Sequence, residues 1–403
     1  MSNYQEELNY LKSLPIFKMS LGSKELFHSN FLEFLWEIEP DGKDRFFEML
    51  KMLSGFNRKA DAQYYLEREK EHFDLCLYHI EGKTTLYDLV IENKVKSIPR
   101  KDQLDLYKKE VDDKKKKNQV KDTILLLLSL VTDFPCKAML VEENQWVIID
   151  YLALASAIEE KYKDVSPKYS PYIDSYVDYC KHLHSLQGTM TDDFLNQQYF
   201  EQSKFDSYQG VRLGDLYLKI RGSLVLNHLK ERLQKHTGFE VHLMPFVITD
   251  HVRGKKRTFK YTDIRGIISN DNRIHVFLEC TIQQMSECMV AAFIYRQRRS
   301  DDFIYEVVSQ GKSFRHGINS NIESKRNDTM DDFWKAVHDA DGGFLDNIWE
   351  NKLTKPENYN KYGKEYVYRY VHLEHETVSE LLDKMEQDIL FLVNKLGDND
   401  YNN

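Results

Sequence analysis

Apolar and polar positions alternate most informatively over residues 73–107. Two runs of apolar, β-branched and aromatic residues, 73–80 and 86–91, flank the polar segment Glu81-Gly82-Lys83-Thr84-Thr85. That order predicts a β-hairpin with glycine in a loop of about five residues. Setting Ile80 opposite Leu86 brings Asp74 opposite Glu92. Side chains alternate along a strand, so Glu92 and Lys94 share a face and Asp74 joins them from the neighbouring strand. Runs this apolar on both faces predict strands covered on both sides. Two carboxylates and an ammonium at one end of such a hairpin are costly to bury without a purpose.

The rest of the chain alternates between helical and strand patterns. Residues 4–14 and 23–37 predict two helices, broken by Pro15 and Gly22, with Leu26, Phe27, Phe31, Leu35 and Trp36 of the second near one face. Residues 40–60 are polar, helix or loop, and 64–69 predict a short first strand. A helix over 100–117 follows Pro99, with Leu104, Tyr107 and Val111 towards the sheet. Residues 123–130 and 146–150 predict buried strands. Residues 151–186 read as helical, interrupted near Pro167 and Pro171. The polar stretch 188–193 marks the expected boundary, giving domains 1–188 and 189–403. Beyond it come a long helix (213–234), strands over 240–248, 257–268 and 273–282, further strands at 289–295 and 303–308, and an amphipathic helix over 377–396 with Val378, Leu381, Met385, Ile389 and Leu392 inward.

The trio at the end of the hairpin suits phosphodiester hydrolysis. Asp74 and Glu92 offer oxygen ligands to a hard divalent cation, Mg2+ or Mn2+. Such a cation acidifies bound water and polarises a phosphoryl oxygen. Lys94 is placed to orient the attacking water or offset transition-state charge. The competing reading is a structural ion pair between Lys94 and a carboxylate, a common arrangement worth little when exposed.

Asp74 followed after a hairpin by Glu92-Asn93-Lys94 resembles the D…(D/E)xK signature of the PD-(D/E)xK, or restriction-endonuclease-like, nuclease superfamily. Gln103-Leu104-Asp105-Leu106-Tyr107 is similar to the QxxxY element on the next helix of many members. Glu25-Leu26-Phe27-His28-Ser29-Asn30-Phe31-Leu32 is similar to the N-terminal opening of a bacterial branch. Phe73 stands where many members have proline. The resemblance covers residues 18–150. It implies an α/β fold, a restriction-endonuclease-like αβββαβ core with a second α+β domain, and a metal-dependent nuclease acting on nucleic acid, DNA in the first instance, with restriction or anti-phage defence as the implied setting. On that basis Asp74, Glu92, Lys94, Gln103, Tyr107 and His28 are the candidate catalytic and supporting residues. Asp74, Glu92 and the backbone carbonyl of Asn93 are the candidate metal ligands. For His28 the alternative is a hydrogen-bonded packing or capping residue. For Glu69, a further acid beside the site, the alternative is the solvent face of an edge strand shared with Glu67 and Glu71.

Composition narrows the class. The 403 residues, 41% hydrophobic and 30% charged, suffice for two folded domains. A net charge of −9 argues against a chain coated in nucleic acid by bulk electrostatics, while leaving room for a local basic groove. Arg253, Lys255, Lys256, Arg257 and Lys260, interleaved with Phe259 and Tyr261, are the candidate phosphate contacts, with a solvated hairpin tip as the equal alternative. Arg296, Arg298 and Arg299 form a second basic cluster. Five scattered cysteines without a CxxC pair fit reduced thiols in the cytoplasm. No secretory signal and no apolar run near about 20 residues is present, so no membrane is expected. The second domain is expected to serve recognition, a protein partner or a homodimer interface. Two other classes stay open. One is a non-catalytic nucleic-acid-binding protein on the same fold, against which the complete Asp74, Glu92 and Lys94 set argues. The other is a partner-gated interaction module, which the acidic balance and the aromatic stretch 359–370 permit.

Overall fold

The computed structural model describes residues 3–20, 24–70, 72–95, 99, 101–118, 123–132, 146–199, 201–236, 239–243, 274–283, 287–295, 303–310, 313–320, 360–362, 366–372 and 376–398, with the backbone alone for the strands between 239 and 372. The chain falls into two compact units: residues 1–192 with 206–220, and residues 193–205 with 221–403.

The first unit opens with helices α1 (Asn3–Ser13), α2 (Pro15–Ser20), α3 (Lys24–Glu37) and α4 (Gly42–Ser54). Pro15 begins α2 instead of merely ending α1, because the first helical position lacks an N–H partner in any case. Strands β1 (Tyr64–Lys70), β2 (Phe73–Glu81) and β3 (Thr84–Lys94) follow, then α5 (Lys101–Asn118), β4 (Ile124–Ser129), β5 (Trp146–Ile149), and helices α6 (Tyr151–Tyr162) and α7 (Ser170–Thr189). The five strands form one mixed sheet in chain order, β1-β2-β3-β4-β5. The first three are antiparallel, while β3–β4 and β4–β5 are parallel. Parallel neighbours need a crossover, which α5 supplies between β3 and β4. The expected α/β core of three antiparallel strands, a helix and a parallel strand is therefore present.

Burial follows the pattern. Leu75, Cys76 and Leu77 of β2, Leu89 and Val90 of β3, and Leu125–Leu128 of β4 are all buried. The helical layer adds a dense aromatic core: Phe31 stacks on Tyr176 at 3.7 Å, and Trp36 meets Phe46 and Phe47 edge-on. Asp150 caps α6, accepting a 2.6 Å bond from Ala153 N–H. Pro171 sits in the first turn of α7, so it starts a helix there instead of interrupting one.

The hairpin register differs from the expected one at the turn and agrees with it at the other end. Glu81 pairs with Thr84 across a loop of only Gly82 and Lys83, so Ile80 faces Thr85 and not Leu86. Gly82 takes the left-handed conformation, φ 63°, that the first position of such a tight turn requires. From Tyr78–Tyr87 the ladder steps to Leu77–Leu89, leaving Asp88 unpaired in a β-bulge, and then continues through Leu75–Ile91. One step further, Asp74 comes level with Glu92. The bulge absorbs the one-residue difference that the tight turn introduces.

The second unit contains a seven-stranded sheet. After α8 (Gln202–Gln209) and α9 (Gly214–Leu233) come β6 (Phe239–Leu243), β7 (Ile274–Gln283), β8 (Glu287–Tyr295), β9 (Phe303–Gln310), β10 (Ser313–Ser320), β11 (Asn360–Tyr362), β12 (Tyr366–His372) and α10 (Val378–Asp398). The order is β11-β12-β10-β9-β8-β7-β6, antiparallel except for β6–β7. Strand β10, SFRHGINS, carries no strand pattern of its own and is specified by pairing on both sides. The start of α10 is a capping box: Thr377 Oγ1 accepts from Glu380 N–H at 3.2 Å, and Glu380 Oε2 accepts from Thr377 N–H at 2.8 Å. Val378, Leu381 and Met385 of that helix are buried as expected; the side chains of Ile389 and Leu392 lie outside the description, as does the strand expected over 257–268.

Leu50 of α4 is fully buried in the helical layer. Leu50→Ala is expected to lower the stability of the first unit by about 2–5 kcal/mol, the usual cost of an unfilled leucine site, read as an earlier urea unfolding transition.

Candidate active site

The bulged register delivers the candidate side chains to one end of the hairpin. Asp74 is the second residue of β2, half-buried; Glu92 and Lys94 end β3, 2% and 8% exposed. Lys94 Nζ donates to Glu92 Oε1 at 2.5 Å. Gln103, in the first turn of α5, also donates to Glu92 Oε1 through Nε2 at 3.1 Å, and its amide reaches Tyr107 Oη at 2.7 Å. Leu104 and the ring of Tyr107, edge-on to Phe73, seat α5 against the sheet. Asn93 points to the opposite face, as alternation requires. Its backbone N–H donates to Asp74 Oδ2 at 2.6 Å, and its side-chain Nδ2 donates to Ser29 Oγ on α3 at 2.7 Å.

Two residues that the sequence left outside the candidate set belong to this arrangement. Ser29 ties α3 to β3 through Asn93, and its hydroxyl sits 3.4 Å from the Glu25 carbonyl one turn back. Arg68 of β1 secures the same helix by bonding Glu33 Oε2 at 2.5 Å. So held, α3 brings the half-buried Glu25 close enough for its charge to act on Asp74, Glu92 and Lys94 alike. Glu25 and Ser29 both stand in the N-terminal stretch that carries the resemblance, but nothing local connects that helix to the hairpin.

The electrostatics are lopsided. Burial pushes the Glu92 carboxyl up to about 7; Lys94 opposes the rise, and Asp74 and Glu25 add to it. Burial likewise raises Asp74, against the pull of the Asn93 N–H and Lys94. Burial pulls Lys94 down, but Glu92, then Glu25 and Asp74, outweigh it and leave the ammonium above its ordinary range. Burial and the Glu92 charge raise the Tyr107 phenol. Among the described residues, the Lys94 ammonium thus feels the charges of Glu92, Glu25 and Asp74 together. Glu92 Oε2 is buried and accepts no hydrogen bond from any described residue.

These residues fit a divalent cation. Glu92 Oε2, which accepts no hydrogen bond from any described residue, and the neighbouring Asp74 carboxyl offer the oxygen ligands that a divalent ion takes. Among the described residues no three His, Cys, Asp or Glu side chains form a metal cage by themselves. A carboxylate pair is nonetheless the usual protein share for Mg2+, which keeps waters and substrate oxygens as its other ligands.

Residues 15–181 match the family model of the PD-(D/E)XK nuclease superfamily. Over these residues the chain is similar to that superfamily. No curated protein and no solved structure matches the chain. The PD-(D/E)XK match spans the five-stranded sheet and the helices packed on it, and includes Asp74, Glu92 and Lys94.

The remaining candidates of this PD-(D/E)XK segment lie as follows. His28 is fully buried, its Nδ1 2.7 Å from Tyr176 Oη and its ring among Tyr151, Tyr176 and Tyr179, in the aromatic core behind α3. Glu69, level with Asp74 on edge strand β1, is exposed and takes a left-handed φ of 50°. Asp88 occupies the bulge and bonds to His79. Arg253, Lys255, Lys256, Arg257 and Lys260 lie outside the described residues, as do Arg296, Arg298 and Arg299.

The raised carboxyl of Glu92 fixes a sign. Its folded pKa of about 7 exceeds its ordinary 4.5, so the folded state holds the proton more tightly. Stability of the metal-free protein is therefore expected to fall as pH rises from about 4.5 to about 7, by on the order of 3 kcal/mol, and to stay lowered above that. In Glu92→Gln this slope flattens. Mn2+ is expected to raise the melting temperature of the wild type at pH 8 and to leave that of Glu92→Gln unmoved. A Mn2+ shift of equal size in both proteins would rule out Glu92 as a ligand.

Proposed function

We propose that the N-terminal unit is a metal-dependent nuclease that hydrolyses phosphodiester bonds in nucleic acid, with DNA as the substrate. The observation that carries this reading is the meeting of Asp74, Glu92 and Lys94 at one end of the hairpin, with Glu92 Oε2 buried and bonded to no described residue, in a segment that matches the PD-(D/E)XK family model. A structural ion pair would need only Glu92 and Lys94; the strongly raised Glu92 carboxyl beside a second carboxyl, Asp74, is the kind of perturbed group that clusters at functional sites.

Asp74 and Glu92 would hold Mg2+ or Mn2+, with the Asn93 carbonyl as a further ligand. A divalent cation bound there supplies Lewis acidity to a phosphoryl oxygen and acidifies water. The chain's own groups do the positioning. The Asn93 N–H fixes one oxygen of Asp74. Lys94 and Gln103 both occupy Glu92 Oε1, which leaves Oε2 free to face the ligand. Lys94 Nζ, three-donor and charged, has capacity beyond its bond to Glu92 to orient a water or meet the developing charge on phosphorus oxygens. Tyr107 stays a phenol at neutral pH and supports Gln103. His28 acts from behind, as packing for the helix that bears Glu25 and Ser29. The second unit would supply recognition or partner binding, with the basic residues 253–260 as its phosphate contacts on their charge alone. A setting in restriction or anti-phage defence is the role the superfamily resemblance suggests.

Plasmid DNA incubated with the full chain is expected to be nicked or linearised with Mg2+ or Mn2+ and left intact with EDTA. Lys94→Ala and Asp74→Ala should each reduce the rate by at least about 10²-fold. Cleavage by Lys94→Ala at the wild-type rate would refute the assignment. Gln103→Ala, which removes a partner of a ligand and not a ligand, is expected to lose about 10- to 100-fold.

A further inference from the structure

At the opposite end of the hairpin from the site lies a second polar cluster, built on a buried histidine. His79 of β2 is 1% exposed. Its Nδ1 bonds to Asp88 Oδ2, and its Nε2 lies 3.1 Å from Lys59 Nζ and 3.1 Å from Glu81 Oε1. With the proton on Nδ1, the ring donates to Asp88 and accepts from the Lys59 ammonium, which also pairs with Glu81 at 3.4 Å. Tyr64 closes the cluster, its ring 5.5 Å from that of His79 and its hydroxyl accepting from Lys59 N–H. The residue that His79 holds is the one left unpaired in the β2–β3 ladder.

That coincidence has a geometric consequence. The turn pairs Glu81 with Thr84, and this register carried straight along the strands would bring Asp74 level with Ile91 and Glu92 level with Phe73. The bulge at Asp88 shifts the ladder by one residue and restores Asp74 to the level of Glu92. A one-residue slip sends a strand's side chains to the other face, so the carboxylate pair exists only in the bulged register. The extra residue of β3 is taken up at Asp88, where the carboxylate bonds to the buried His79 imidazole.

We propose that His79 and Asp88 are positioning residues for the active site, pinning the bulge that sets the register of Asp74 against Glu92. Its consequence for catalysis rests on the nuclease reading; the register itself does not.

The test compares a substitution with a deletion in the full chain. Asp88→Val keeps the extra residue and removes the pin, so the ladder is free to slip. Deletion of Asp88 removes the extra residue together with the pin, and a regular hairpin then keeps Asp74 level with Glu92. Cleavage is expected to fall about 10²-fold in Asp88→Val and to be largely retained in the deletion. His79→Gln, a milder loss of the pin, should fall in the same direction as Asp88→Val and serves if the valine protein does not fold. Register is read separately by oxidative cross-linking of an Asp74→Cys, Glu92→Cys pair. The cross-link should form in the parent, drop with Asp88→Val or His79→Gln, and return with the deletion. A part that merely stabilised the fold would make the deletion at least as damaging as the substitution, and that ranking, or unchanged cross-linking in every variant, would overturn the proposal. A wild-type chain that does not cut would sink the nuclease reading and leave the cross-link series, run in the double-cysteine background, to decide the register.

Discussion

Everything at the candidate site depends on two strands being paired in one register and no other. Asp74 and Glu92 are close because Leu75 lies opposite Ile91, and that alignment coexists with a tight turn only through the bulge at Asp88. Backbone pairing alone does not choose among neighbouring registers; the side chains that each register buries do. Here the choice places an apolar set on both faces of β2 and β3 and gathers the charged groups at one end.

The gathered charges then work against the fold. Glu92 is almost fully buried, and Asp74 and Glu25 add their charges to the field that it and Lys94 feel. Buried ion pairs seldom stabilise in net terms. The surrounding structure holds the set in place regardless: Gln103 on Glu92, the Asn93 amide on Asp74, and Ser29 on Asn93 each come from a different element. Perturbed carboxyls held in place by several elements are the pattern that functional sites share.

Helix α3 is the least local part of that arrangement. It is joined to β3 through Ser29 and Asn93, to β1 through Glu33 and Arg68, and to α7 through His28 and Tyr176. Glu25 reaches the site as a consequence of all three. The aromatic packing of Phe31 on Tyr176 gives the helix a rigid seat, and rigidity in the element that carries a charge is what makes the charge effective.

From the sequence alone, the identity and grouping of Asp74, Glu92, Lys94, Gln103 and Tyr107 were legible, as were the hairpin, the α5 crossover and the parallel strand β4. The elements and the grouping of Asp74, Glu92 and Lys94 follow from short-range regularities, period-two alternation within a strand, helical spacing within α5 and the apolar bounds of each run, while Gln103 and Tyr107 came from the resemblance of residues 103–107 to a known motif. The expected pairing of Asp74 with Glu92 was right at the site while its premise at the turn was not, because two one-residue departures, a tighter turn and a bulge, cancel. Periodicity is blind to such a cancellation, since it describes each strand separately and a bulge is a relation between two. The docking of Glu25, the role of Ser29, and strands such as β10 that owe their form to their neighbours were likewise set by tertiary structure. They depend on contacts between residues far apart in the chain, and only the folded chain brings those residues together.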